Sequence, residues 1–416
     1  MMIFYNMETV MPAVSARARF SREYPDWWLE AWQRSPASRL LQFVGDNPLI
    51  PDCGPSPNSG QGYPFLEPGK YLHNSKNPCW YEQPRTKTGL RCLPYVYLAG
   101  VAKCGTSDIS RRLRMHPDVI TTRQKEYHWW ERYRFRSDDD DEEDTSNEIA
   151  NQIGVPFEQY LDQIAWKEIQ ILQRELTIKK FAVKIFGDYS PSYFWDPQYW
   201  HLLDGNQGCL EPRFIVGQHI HHVFPGAKIL LAFRHPTTRL YSRYLAMIKL
   251  RKASVVRKLS SDTGQDFHRF VVDSIAMYKK CFSLFSIRHC AYNGTMYKFE
   301  STVRLVEGMY PVFMADWLRV WPREQMHLMR YEDYGGQERE RLREIFAFLG
   351  LAPLNSTEMD RVMGHEIVNS GASEYEKYGG MLTETKHILD DFYQPFIHKF
   401  AELLADDRFL WEDVYE

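Results

Sequence analysis

The chain has 416 residues, 44% of them hydrophobic and 25% charged, which is globular usage and excludes a disordered or collagen-like polypeptide. Lysine plus arginine number 51 against 54 for aspartate plus glutamate, so the net charge is −3 and no global field attracts nucleic acid; a polyanionic partner must be met by a local basic patch. There is no apolar run long enough to span a bilayer, and residues 1–22 lack the apolar core and small-residue cleavage site of a signal peptide.

Residues 1–90 are rich in Pro, Gly, Ser and Asn, as in Asn47-Pro-Leu-Ile-Pro51, and read as an extended lead-in that wraps a domain. From Tyr95 onward short apolar strands alternate with amphipathic helices, the pattern of an α/β domain with a central, mainly parallel sheet flanked by helices. Strands are expected at 95–99, 181–186, 228–233 and 326–330. Helices are expected at 106–115, 157–176, 237–249, 266–285, 338–349 and 383–404. The carboxylate run 138–144 repels itself and reads as a solvated loop. In His219-Ile-His-His222 no cysteine or carboxylate falls at a ligand spacing, which favours histidines on a helix surface over a zinc site. Two glycosylation sequons begin at Asn293 and Asn355.

The chemistry concentrates where the strand at 95–99 runs through Gly100 and Gly105 into a helix starting at Thr106. A helix N-terminus offers unpaired N–H groups and a positive dipole end, and a glycine lets backbone approach an anion closely, so this is a phosphate-type cradle. Lys103 adds a point charge, and Thr106 and Ser107 add hydroxyls. The nucleoside-triphosphate loop needs its lysine directly after the second glycine, whereas Lys103 precedes Gly105. The later strand ends in Arg234 where such enzymes place an aspartate for Mg²⁺, so a metal-dependent kinase is disfavoured. That second strand continues into Arg234-His-Pro-Thr-Thr-Arg-Leu-Tyr-Ser242. Pro236 suits a first helical turn, and Arg234 with Ser242 converge on one phosphate. Two anion sites on neighbouring strands imply a ligand with two separated phosphates.

Together these segments resemble the Golgi carbohydrate sulfotransferases, whose donor is 3′-phosphoadenosine 5′-phosphosulfate (PAPS). Further segments carry the resemblance across residues 76–416: Lys125-Glu-Tyr-His-Trp-Trp130, Trp195-Asp-Pro-Gln-Tyr-Trp200, the stretch from Cys281 to Asn293, Leu328-Met-Arg-Tyr-Glu-Asp333 and Asp391-Phe-Tyr-Gln-Pro-Phe396. The resemblance implies a P-loop-like sulfotransferase fold over residues 91–416, with residues 1–90 as a stem. It implies transfer of a sulfuryl group to the 6-hydroxyl of N-acetylgalactosamine 4-sulfate in chondroitin or dermatan sulfate. The alternatives are the same fold acting on heparan sulfate or another alcohol, and a non-catalytic glycan-binding relative. The family also implies a glycoprotein of the Golgi lumen with a type II membrane anchor, which this sequence does not contain.

By the same resemblance Lys103, Gly105, Thr106 and Ser107, with Cys104 between them, hold the 5′-phosphosulfate, and Arg234 with Ser242 the 3′-phosphate. A lysine at the bridging oxygen stabilises charge that develops in the transition state, with no metal required. Glu126 is assigned as the base that takes the acceptor proton, and His128, on the same side of an extended piece, as its partner or as an acceptor-binding group. The competing reading makes Glu126 a surface carboxylate paired with Lys125. A sulfated glycosaminoglycan needs positive charge nearby, for which Arg132, Arg134, Arg136, Arg239, Arg243, Lys249, Arg251, Lys252, Arg257 and Lys258 are candidates. Trp129 and Trp130 either stack on a sugar or belong to the core. With Cys104 in the loop, six cysteines remain for up to three bridges, Cys281–Cys290 foremost, with a turn of chain between them. Two departures from the family stand out. Ala102 replaces a proline, and Asp188-Tyr189 occupies a position where heparan sulfate enzymes carry a lysine.

Overall fold

The computed structural model describes residues 24–34, 53, 70–82, 89–122, 125–135, 155–164, 166–203, 205–250, 263–300, 303–365 and 372–414. The run 138–144, Arg136, Arg251, Lys252, Arg257 and Lys258 lie outside them.

Helix α1 (Asp26–Gln33) carries Trp27 and Trp28 onto the aromatic rings of Phe282 and Phe396. An antiparallel hairpin follows, β1 (Cys79–Tyr81) with β2 (Leu90–Cys92), in which Cys79 opposes Cys92 and is bonded to it. The main sheet begins with β3 (Val96–Gly100), which feeds α2 (Thr106–Leu113). Helices α3 (Phe157–Ile164) and α4 (Trp166–Ile178) precede the short β4 (Gly187–Asp188), and α5 (Val216–Val223) precedes β5 (Lys228–Phe233). Then come α6 (Pro236–Lys249), α7 (Thr263–Leu284), α8 (Tyr310–Leu318), β6 (Met326–Arg330), α9 (Glu338–Phe348) and α10 (Thr383–Leu404).

The sheet is parallel throughout, in the order β4-β3-β5-β6. A parallel sheet must be covered on both faces, and β5 is accordingly apolar and buried from Ile229 to Phe233. Phe233 packs against Phe194 and against Phe400 of α10. The α/β class expected from the alternation is therefore the class observed.

Two elements differ from expectation. The segment 181–186 does not pair as a strand. Its Val183 and Lys184 N–H groups are taken by the Glu175 carboxylate, and Ala182 and Ile185 bond to the loop carbonyls of Asn74 and Asp118. Ala182 and Ile185 form only isolated bridges, with Ser75 and Val119, and pairing with β3 begins at Gly187. The helix expected over 157–176 is two helices with different neighbours, α3 stacking Tyr160 on Trp129 and α4 packing on β2. All seven cysteines are accounted for: Cys53–Cys209, Cys79–Cys92 and Cys281–Cys290 are bonded, and Cys104 is free. Cys281 lies in the last turn of α7 and Cys290 in the next short helix, so the chain turns between them. Among the described residues no helix is long and apolar enough to cross a membrane, and no cluster of metal-ligating side chains occurs.

Candidate functional site

Because β3, β5 and β6 run parallel, their C-terminal ends share one edge of the sheet, the edge at which open α/β sheets bind ligands. The loop after β3 turns through Lys103 (φ 71°) and Gly105 (φ 79°), and Gly105 caps α2 without any side-chain cap on the helix. The first N–H groups of α2 therefore remain for an anion. A Cβ at Gly105 would lie 3.1 Å from the Tyr331 ring, so a glycine is required there on two counts. Cys104 turns inward, with Sγ 3.7 Å from the Ala102 carbonyl, and burial pushes its thiol up to about 12. Its side chain shapes the loop and offers nothing to a ligand.

Across the edge, Arg234 leaves the end of β5, donates from Nε to Thr238 Oγ1 at 3.1 Å and lies 4.7 Å over the same Tyr331 ring. Tyr331 thus braces both anion loops, a role that no motif signals. Glu332 beside it accepts from the His235 N–H at 2.9 Å and from Trp411 Nε1 at 2.7 Å, tying the second loop to the C-terminal segment. Ser242 is half-buried on α6, two turns beyond Pro236.

Glu126 and His128 do meet, but not by strand alternation. Both residues are left-handed (φ 68° and 50°), and this brings His128 Nε2 to 3.5 Å from Glu126 Oε2. On its other edge His128 Nδ1 lies 2.7 Å from Glu131 Oε1 and 2.7 Å from Ser192 Oγ, and Ser192 also donates to Glu131. The His128 N–H donates to Ser190 Oγ at 3.2 Å, and Ser190 in turn donates to Asp188 at 2.7 Å. Tyr160 and Tyr193 complete the shell around Asp188, whose carboxyl burial raises to about 6 against these hydrogen bonds. Asp188 is thus the anchor of the His128 backbone. Glu131, Ser190 and Ser192 have no assigned role in the sequence reading, since only the fold brings them to His128.

Burial alone would lower the His128 imidazole, but the Glu131 and Glu126 carboxylates outweigh it and raise the group to about 9. His128 is therefore an imidazolium at neutral pH. Burial likewise would raise Glu126, yet the Lys125 ammonium and the His128 hydrogen bond hold it below the usual carboxylate range. Lys125 does pair with Glu126, as the competing reading had it, and its Nζ also donates to Ser107 Oγ of the donor loop at 3.2 Å. One side chain therefore links the first anion loop to the carboxylate.

Among the described residues only six non-glycine positions have positive φ, and Lys103, Glu126 and His128 are three of them. Left-handed backbone at such residues costs of order 1–3 kcal/mol each and persists where the surrounding structure enforces it, which is characteristic of functional sites.

Several basic candidates have other duties. Arg239 is fully buried and bonded to Glu307 at 2.7 Å, and Arg243 reaches the same carboxylate at 3.1 Å. Arg132 is engaged by Asp196, and Arg134 lies over Trp129, Trp130 and Phe135. Lys249 is exposed at the end of α6. Trp129 and Trp130 are core residues, with the Trp129 indole donating to the Val155 carbonyl. His219 departs from the expected helix surface: it is fully buried, and only His221 and His222 are partly exposed.

Carbohydrate sulfotransferase 15 of Homo sapiens is 31% identical to this chain over 394 residues, covering 83% of this chain and 66% of that protein. The Rattus norvegicus protein of that name is 32% identical over 395 residues with the same coverage. The chain thus spans 66% of the length of these curated relatives. Among solved structures, a sulfotransferase from Alicyclobacillus acidocaldarius aligns at 20% identity and a TM-score of 0.45, covering 76% of this chain and 97% of that one. The sulfotransferase domain family matches residues 93–370, a span that holds both anion loops and the Lys125–His128 segment, and the chain belongs to that family.

Proposed function

We propose that this protein transfers a sulfuryl group from PAPS to a carbohydrate hydroxyl, the 6-hydroxyl of N-acetylgalactosamine 4-sulfate in chondroitin or dermatan sulfate. Residues 91–416 carry the reaction, and residues 1–90 form a lead-in tied on by Cys79 and by Trp28. The observation that carries the reading is the contact of Lys125 with both Ser107 and Glu126, which puts a carboxylate one side chain away from an uncapped helix N-terminus. Likeness to two proteins named carbohydrate sulfotransferase 15 supports the sugar acceptor. Three disulfides support an oxidising compartment, the Golgi lumen.

In this mechanism Lys103 and the first N–H groups of α2, with Thr106 and Ser107, hold the 5′-phosphosulfate, while Arg234 and Ser242 hold the 3′-phosphate. The acceptor oxygen attacks sulfur as the bond from sulfur to the bridging phosphate oxygen breaks, and Lys103 stabilises the charge developing on that oxygen. Glu126 takes the acceptor proton, and the His128 imidazolium, fixed by Glu131 and Ser192, holds the carboxylate in place. The products are the sulfate ester and 3′-phosphoadenosine 5′-phosphate.

The test is transfer of radiolabelled sulfate from PAPS, with EDTA present, to chondroitin, dermatan and heparan chains. Label on the 6-position of N-acetylgalactosamine is expected. Binding of 3′-phosphoadenosine 5′-phosphate without transfer to any chain would sink the acceptor assignment, and failure to bind it would sink the donor site.

A further inference from the structure

Two N-glycosylation sequons, Asn293-Gly-Thr295 and Asn355-Ser-Thr357, take no part in the mechanism above, and the fold treats them differently. Asn355 caps the helix Ser356–Met363, and Asn355, Ser356 and Thr357 are all exposed. Its Oδ1 accepts from the Glu358 N–H at 2.9 Å, and Glu358 Oε2 accepts from the Asn355 N–H at 3.0 Å. The fold therefore uses the carbonyl of this amide and makes no use of Nδ2, the atom that takes a sugar. An amide substituted at Nδ2 keeps its carbonyl, so the cap and the modification are compatible. Asn293 also caps a helix, accepting from the Met296 N–H at 3.0 Å, but it is half-buried in a packed junction. The buried Tyr292 before it accepts the Trp200 indole N–H at its carbonyl, at 2.6 Å. A Cβ on Gly294 after it would lie 3.1 Å from the Pro197 carbonyl oxygen and 3.3 Å from that of Gln198. A branched sugar here must displace packed backbone, so a chain modified at Asn293 does not reach this fold.

The chain leading to Asn355 is fixed at the edge of the sheet opposite the anion loops. Phe348 ends α9, Lys228 Nζ lies 4.9 Å over its ring, and the His327 ring is 5.3 Å away. Lys228 and His327 stand at the N-terminal ends of β5 and β6, whereas both anion loops leave the C-terminal ends of their strands. Farther along, the Ala352 carbonyl oxygen lies 2.9 Å from His116 Nε2. A substituent on Asn355 thus stands a strand length away from the cradle and from Glu126.

We propose that Asn355 carries an N-linked oligosaccharide and that Asn293 in the folded protein does not. The bond forms between Asn355 Nδ2 and the anomeric carbon of a lipid-pyrophosphate-linked oligosaccharide; the lipid pyrophosphate leaves and one amide proton is released. The proposal rests on the lumenal reading above, which the three disulfides support. Its position makes the oligosaccharide a feature of the surface, without a part in sulfuryl transfer.

The experiment expresses the full chain behind a cleavable secretory signal in cultured animal cells and treats the purified protein with peptide-N-glycosidase F in heavy-oxygen water. That enzyme converts a glycosylated asparagine into a labelled aspartate, which mass spectrometry then locates. Thiols are counted in parallel, and a single free thiol, that of Cys104, is expected. Label is expected at Asn355 and not at Asn293. Thr357→Ala destroys the sequon and keeps the Asn355 cap, so it should lose the whole mobility shift that the oligosaccharide gives the wild type. Its kcat, KM and affinity for 3′-phosphoadenosine 5′-phosphate should be those of the wild type. Thr295→Ala should leave the mobility unchanged. An unlabelled Asn355 in a chain with all three disulfides formed would overturn the proposal, and so would label at Asn293 in that pool. A fall in kcat/KM after enzymatic removal of the oligosaccharide would overturn its placement away from the site. If the disulfides do not form, the lumenal reading fails first and takes this proposal with it.

Discussion

Residues 101–107 and residues 125–135 are one hydrogen bond apart, through Lys125, yet they hold their geometry by different means. The donor loop relies on backbone: the end of a strand, a glycine at positive φ and an uncapped helix start. The segment around Glu126 relies on a buried polar network, in which His128 is held by Glu131 and Ser192 on its ring and by Ser190 and Asp188 on its N–H. A phosphate cradle of the first kind is local in sequence. A network of the second kind exists only after residues more than sixty positions apart have met, and it must be satisfied throughout because an unpaired member in a low dielectric is costly.

That contrast is open to direct attack. Glu126→Gln should lower kcat by about 10²–10⁴-fold while leaving affinity for 3′-phosphoadenosine 5′-phosphate in place, since only the proton acceptor is lost. Lys103→Ala should lower kcat/KM by about 10²–10³-fold and also weaken that affinity. If both variants weakened nucleotide binding alike, the two halves would not be separable, and calorimetry settles the point.

Glu131→Gln tests the network with a smaller effect, about tenfold in kcat at neutral pH. His128, raised from 6.5 to about 9, contributes stability that is fully present below pH 6.5 and is lost as the pH rises through about 9. With the Glu131 charge removed, the imidazole should titrate lower, so both the alkaline fall in activity and the alkaline loss of Tm should begin at a lower pH than in the wild type. An unchanged alkaline limb would show that Glu131 does not set the charge of His128. The smallest effect is expected at Thr238→Val, which removes the hydroxyl that accepts from Arg234 Nε. Affinity for 3′-phosphoadenosine 5′-phosphate should fall about fivefold, the value of one ordinary hydrogen bond, with kcat unchanged.

The same contrast explains how much was legible beforehand. Gly100, Lys103, Gly105 and Thr106 were readable because strand, glycine, cation and helix start follow one another along the chain. So was β5, whose apolar run leaves no choice for a strand covered on both faces. Arg239 read as a surface cation because nothing near it in sequence announces Glu307, its partner 68 positions away. The Glu126–His128 contact was expected, but from extended alternation; two left-handed residues produce it instead, a conformation that local propensity never favours. Tyr331 lay within a recognised segment and still showed no role, because the loops it braces come from two other strands.

Cys104 makes the donor loop self-reporting. The other six cysteines are bonded, so a thiol-specific reagent has a single target in the folded chain, and that target is buried and held protonated. Its labelling rate therefore clocks how often the loop opens. Nucleotide bound at the cradle should slow that clock, which turns one silent residue into a spectroscopic window on donor-site breathing without any engineered probe.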